Sequence, residues 1–92
     1  MVEIRVVGDL DRDAAPMLIE VADYVSGLAV RQVVVELGRL GFAGSALSNW
    51  LASMQNQLPR RSSLAVRHPQ PFVGRVLAVT DLAHLVDDGR SN

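Results

Sequence analysis

This 92-residue sequence predicts a single α/β domain, a small and mostly parallel or mixed β-sheet with α-helices packed against it. Three observations carry the prediction. Short β-branched runs alternate with segments whose apolar residues recur every three or four positions, the periods of strand and helix. The order is strand, helix, strand, helix, strand, helix, and parallel neighbours need such long, right-handed crossovers. No repeat, low-complexity segment or linker divides the chain, so residues 1–88 read as one domain and 89–92 as a polar C-terminal tail.

The elements follow in order. Val2, Ile4 and Val6 alternate with Glu3 and Arg5, the pattern of a half-buried strand over 2–7. Gly8-Asp9-Leu10-Asp11 breaks that run, and Asp11 or Asp13 is placed to cap a helix over 14–26, with Pro16 in its first turn. Leu18, Val21, Ala22 and Val25 form the apolar stripe of that helix, and Ser26-Gly27 stops it. Gln32 to Leu37 is the most apolar, β-branched run and reads as a central strand. Residues 38–44 read as a loop with Leu40 and Phe42 pointing inward.

A second helix is expected from Ser45 to Gln57, with Leu47, Trp50, Leu51 and Met54 inside. Ser48, Asn49, Gln55 and Asn56 make its other face polar but uncharged. Pro59 to Ser63 is a turn, and Leu64 to Arg67 a short strand ended by His68-Pro69. Pro71 opens a third helix over 70–79, with Phe72, Val76, Leu77 and Val79 inside. Leu82, Leu85 and Val86 form a last apolar segment, followed by a polar, frayed end from Asp87.

Composition narrows the function. A hydrophobic share of 49% against 21% charged residues is too apolar for a disordered chain. A net charge of −1 gives no electrostatic reason to expect a nucleic acid or an anionic membrane as partner. No cysteine is present, so disulfides and thiolate metal sites are excluded, and a reducing cytoplasm is compatible. Glu3 and Arg5 at the N-terminus do not fit a signal peptide, and the apolar runs fall far below the roughly 20 residues of a membrane span. The glycines at 38, 41 and 44 precede a helix without a following lysine, so they form no nucleotide-binding loop.

Four segments in order resemble a known family. Val7-Gly8-Asp9-Leu10-Asp11 is similar to the G-E-L-D turn of STAS domains. Gln32 to Leu37 sits where that family has its central strand. Gly41-Phe42-Ala43-Gly44-Ser45-Ala46 resembles the F-x-D-S loop that opens its next helix, and Arg67 to Leu82 resembles its closing P-x-x-V-x-R-x-L segment. Together they cover about residues 2–86, and the chain is identified as a STAS domain of the anti-sigma-factor-antagonist type. The resemblance implies a cytoplasmic binding module, not an enzyme, that partners an anti-sigma factor which is also a serine kinase. It implies phosphorylation at Ser45 and resetting by a serine phosphatase. The chain departs from the pattern at Gly44, where antagonists carry aspartate, at Leu47 and Ser48, at Gly38, which ends Glu36-Leu37-Gly38 in place of D-L-S, and at Asp81 in the last motif. The family's first strand is also absent, which leaves an open edge at 2–7 that a homodimer could cover.

The residues also have plainer readings. Ser45 at a helix start is an ordinary N-cap, and both roles can hold at once. Asp9 and Asp11 read as turn and cap residues rather than an acid pair or a magnesium site, and the resemblance sets their loop beside Ser45. Asp9, Asp11, Gly44, Ser45, Ser48 and Asn49 are therefore the expected partner-binding residues. An uncharged polar helix face, also carrying Ser53, suits a surface that is sometimes covered. Trp50 reads as core or a partial interface anchor. His68 and His84 have no matched carboxylate spacing, so neither a metal site nor a cofactor is expected, and no catalytic constellation stands out. A second reading is a structural subunit, docked without phosphorylation on the ATPase of a membrane lipid ABC transporter.

Overall fold

The computed structural model describes residues 1–87, so the expected tail at 89–92 lies outside the described residues. Four parallel strands form the main sheet in the order β1 (Val2–Arg5), β3 (Gln32–Glu36), β5 (Ser63–Arg67) and β6 (Val86–Asp87). Helices α1 (Ala15–Gly27), α2 (Ser45–Gln57) and α3 (Pro71–Val79) make the crossovers. Each crossover advances the sheet in the same direction, so right-handedness puts all three helices on one face.

The alternation of each strand matches that arrangement. Val33 and Val35 are fully buried in the core with Leu47, Leu51, Met54, Val66, Val73 and Leu77. Val34 points to the other face, where Glu3 and Ala65 flank it in register. That face is otherwise polar, with Glu3, Arg5, Gln32, Glu36, Ser63 and Arg67. Arg67 Nε lies 3.4 Å from Asp87 Oδ2, so Asp87 belongs to the sheet and not to a frayed end.

The structure corrects the expected break and loop. Residues Gly8–Leu10 (β2) and Leu40–Ala43 (β4) pair in parallel as a second, two-stranded sheet. Gly8, at φ 88°, turns the chain out of β1, and its N–H donates to the Arg39 carbonyl at 3.2 Å. Gly8 pairs with Leu40 and Asp9 with Phe42, which leaves Gly41 as the extra residue of a bulge. The bulge breaks the alternation, so Leu40 is buried as expected while Phe42 turns outward, 58% exposed. A Cβ at position 41 would stand 2.7 Å from Asp9 Oδ1, the far end of an exposed side chain that can swing aside, and 3.6 Å from the Gly8 carbonyl oxygen, so the backbones of the two strands leave room for one.

Other expectations shift for simple reasons of period. Val79 is exposed, because the inward stripe of α3 runs through Val73 and Leu77 and the next turn passes it by. Thr80 ends that helix by donating its hydroxyl to the Val76 carbonyl at 2.8 Å. Asp11 caps the 3-10 turn Arg12–Ala14 ahead of α1, accepting the Asp13 N–H at 3.1 Å, while Ala14 holds the N-cap position of α1 itself.

Candidate functional site

The right-handed crossovers bring the N-termini of α1 and α2 to the same end of the sheet, beside the β2–β4 pair. The two helices then run side by side, and an open groove of about 640 Å³ lies between them. Leu18, Ala22 and Trp50 supply its apolar floor, and Phe42 and Ile19 its exposed apolar rim. Asp11, Asp23, Ser45, Asn49, Ser53 and Gln57 supply the polar rim. Gln57 Nε2 donates to Asp23 Oδ1 at 2.6 Å and ties the helices at the far end. Among the described residues, the lining holds two carboxylates and no cation.

Ser45 is exposed at the mouth of this groove, as the first residue of α2. Gly44 occupies the N-cap position, so the Ser45 hydroxyl is not the cap that its residue type suggested. Among the described residues its side chain takes no hydrogen-bond partner, and it stands at the helix start, where the amides are unpaired and the dipole is positive. A group added to that oxygen meets the groove without disturbing the core.

Of the expected contact residues, Asp11, Gly44, Ser45 and Asn49 are brought together on the groove. Asp9 is exposed in β2 but lies outside the groove, packed over Gly41. Ser48 is corrected. It is buried on the flank of Leu51, 6% exposed, and donates its hydroxyl to the Ser45 carbonyl at 3.1 Å, so it supports the turn below Ser45 and is not open to a visitor. The contributions of α1 (Ile19, Ala22 and Asp23) escaped the sequence, because a groove between two helices exists only after they pack. The one available signal was Ile19, an aliphatic residue standing off the buried stripe of its own helix.

Gly44 needs no glycine. Its φ of −98° is open to any residue, and a Cβ there meets nothing within 4 Å. Gly44→Asp is therefore expected to fit, to accept the orphan N–H groups of α2, and to raise stability by about 0.5 kcal/mol in urea unfolding. A destabilised variant would mean that the N-cap backbone is more constrained than its open surroundings indicate.

A second polar cluster lies at the ends of β3 and β5. Glu36 Oε2 lies 2.7 Å from His68 Nδ1, and Glu36 Oε1 accepts the Gly38 N–H at 2.7 Å. The bond from His68, helped by the Gly38 amide, holds the Glu36 carboxyl below the usual range. The unfolded chain then binds the proton at a higher pH than the folded one. Stability is present above the unfolded value and declines as pH falls through the folded one. Denaturation midpoints measured between pH 6 and pH 3 are expected to fall less steeply for Glu36→Gln than for the parent; equal slopes would remove Glu36 as a source of acid sensitivity. Among the described residues, no group of three or more histidine or acidic side chains could hold a metal ion, and no helix is long and apolar enough to cross a membrane.

The family model described as "Mlab, STAS domain" matches residues 1–87. Among solved structures, the anti-sigma factor antagonist SpoIIAA in its unphosphorylated form has a TM-score of 0.79 at 20% identity, covering 97% of this chain and 79% of that one. The Bacillus cell fate determinant SpoIIAA in its phosphorylated form has a TM-score of 0.76 at 19% identity, covering 97% and 82%. At these identities the likeness is one of fold. No curated protein matches in sequence.

Proposed function

The chain belongs to the STAS domain family, and from that premise we propose that it is a partner-switching regulator of the anti-sigma-factor-antagonist kind. It binds a kinase-type anti-sigma factor in the cytoplasm through the groove between α1 and α2, and it has no enzymatic activity of its own. The observation that carries this reading is the free, exposed hydroxyl of Ser45 at the mouth of an apolar groove. The similar fold of SpoIIAA, solved in unphosphorylated and phosphorylated forms, supports it.

The switch follows from charge. Transfer of the γ-phosphoryl group of ATP to Ser45 Oγ releases ADP and the hydroxyl proton, and leaves about −1.5 to −2 charges on the site near neutral pH. The start of α2 accommodates that charge, because its amides and dipole face it. Among the described residues, the groove supplies no cation to pair it. A partner covering Ser45 then buries an uncompensated charge and is released. A serine phosphatase restores the hydroxyl.

The test is incubation with the kinase-type anti-sigma factor and ATP, followed by peptide mapping by mass. One phosphate on the peptide containing Ser45 is the expected result. An unmodified Ser45 in a complex that nevertheless forms would remove the switch and leave a plain binding module.

Gly44 favours a second reading. Antagonists carry a carboxylate there, and the backbone here would accept one, so its loss is not steric. On this reading the same groove docks on the ATPase of a membrane lipid ABC transporter and Ser45 is never modified. Co-purification with such an ATPase, with no change in mass after kinase treatment, would select it.

A further inference from the structure

We propose that the side of the domain opposite the groove is the contact surface for a second copy of this chain. The sheet edge at β1 and an apolar stripe on α1 build it together.

Among the described residues, β1 pairs only with β3. The Val6 N–H donates to the Glu36 carbonyl at 3.1 Å, so by the two-residue period Ile4 also turns its backbone to β3. The N–H and C=O groups of Glu3 and Arg5 therefore face the open side. Val2–Arg5 contains no proline and no bulge, so its outward backbone groups are open to a second strand, and its only guards are the charges of Glu3 and Arg5, which admit a partner of matching pattern.

The α1 helix adds to the same side. Its buried stripe is Leu18, Ala22 and Val25, and Ile19 and Asp23 face α2 across the groove. Met17, Val21, Tyr24 and Leu28 recur at spacings of four, three and four, a further apolar stripe on the far side of the buried one from α2. Met17 is 67% exposed, Tyr24 70% and Leu28 41%. Because α2 occupies one flank of α1, this stripe overhangs the β1 edge.

The sequence of β1 selects one register for a two-fold pairing. Directly opposed residues must share a face, so Ile4 stands opposite Ile4, Glu3 opposite Glu3, or Arg5 opposite Arg5 of the second copy. Only the first sets Glu3 against Arg5, twice by symmetry, while the others oppose like charges. The same register places the outward backbone groups of Glu3 and Arg5 against each other, so each pair exchanges both ladder hydrogen bonds. The contact is self-complementary, as an isologous dimer requires. It leaves Ser45 free, so self-association and partner binding can coexist.

The test is sedimentation of the full chain over a concentration series, with thermal melts as a control for folding. The parent is expected to form a dimer. Arg5→Glu should weaken it by roughly tenfold or more, and Glu3→Arg combined with Arg5→Glu should restore it. Tyr24→Glu, a change at an exposed site, should also weaken it. A parent that stays monomeric to its solubility limit overturns the proposal. So does a dimer whose strength ignores the single charge reversal, or a folded double variant that fails to recover.

Discussion

Ser45→Glu is expected to fold as the parent does and to bind a kinase-type anti-sigma factor about two orders of magnitude more weakly. The first half follows from position. Ser45 is the exposed first residue of α2, where a carboxylate faces the positive end of the helix and changes stability by no more than about 0.5 kcal/mol, in the favourable direction. The second half follows from the surroundings. Asp11 and Asp23 already carry negative charge on the groove, and among the described residues no cation lines it to pair with the new carboxylate. Burying it under another protein costs several kcal/mol unless that protein supplies a cation. Ser45→Ala, which adds no charge, should bind as the parent does and resist the kinase. Titration calorimetry separates the cases, and equal affinities for the Glu and Ala variants would place Ser45 outside the interface.

Trp50→Ala is expected to cost about 3–5 kcal/mol, a large part of the stability of a domain this size. Trp50 is 5% exposed, packs with Leu47, Leu51 and Met54, and floors the groove. Its indole N–H is buried without a hydrogen-bond partner, and an unmade bond of this kind costs about 1–3 kcal/mol. Trp50→Phe removes that donor while keeping an aromatic ring. Relief of the unpaired N–H offsets part of the lost volume, and the expected cost is only about 1 kcal/mol. Urea unfolding of the two variants reads the difference. A Phe variant as damaged as the Ala variant would mean that the indole N–H has a partner that stabilises the fold.

Three of the four strands of the main sheet were legible because they announce themselves locally; β6, only two residues long at the edge of a segment read as frayed, was not. Val33, Val34 and Val35 are β-branched and buried, and Val2 and Ile4 alternate with charge. The second sheet was not. Gly8-Asp9-Leu10 and Leu40-Gly41-Phe42-Ala43 lack β-branched residues, and they pair across about thirty residues of chain, so nothing local marks them as strands. Phe42 was misplaced for the same reason, since no periodicity foretells a bulge at Gly41. In the candidate site, the start of α2 at Ser45 was readable from the Gly44 break and the amphipathic run after it. The burial of Ser48 was not, because a small hydroxyl on the flank of a stripe is covered or bared by what packs over it. The groove itself belongs to neither helix and has no signature in one segment.

The most direct measurement is amide chemical-shift mapping of the isotope-labelled chain as unlabelled kinase-type anti-sigma factor is added. The expected result is a footprint on Asp11, Gly44, Ser45 and Asn49, with the Trp50 indole signal moving too. The amides of Glu36 and Arg67, on the polar sheet face, should stay still. Shifts gathered on that sheet face, with the start of α2 silent, would contradict the assignment of the groove as the partner's seat.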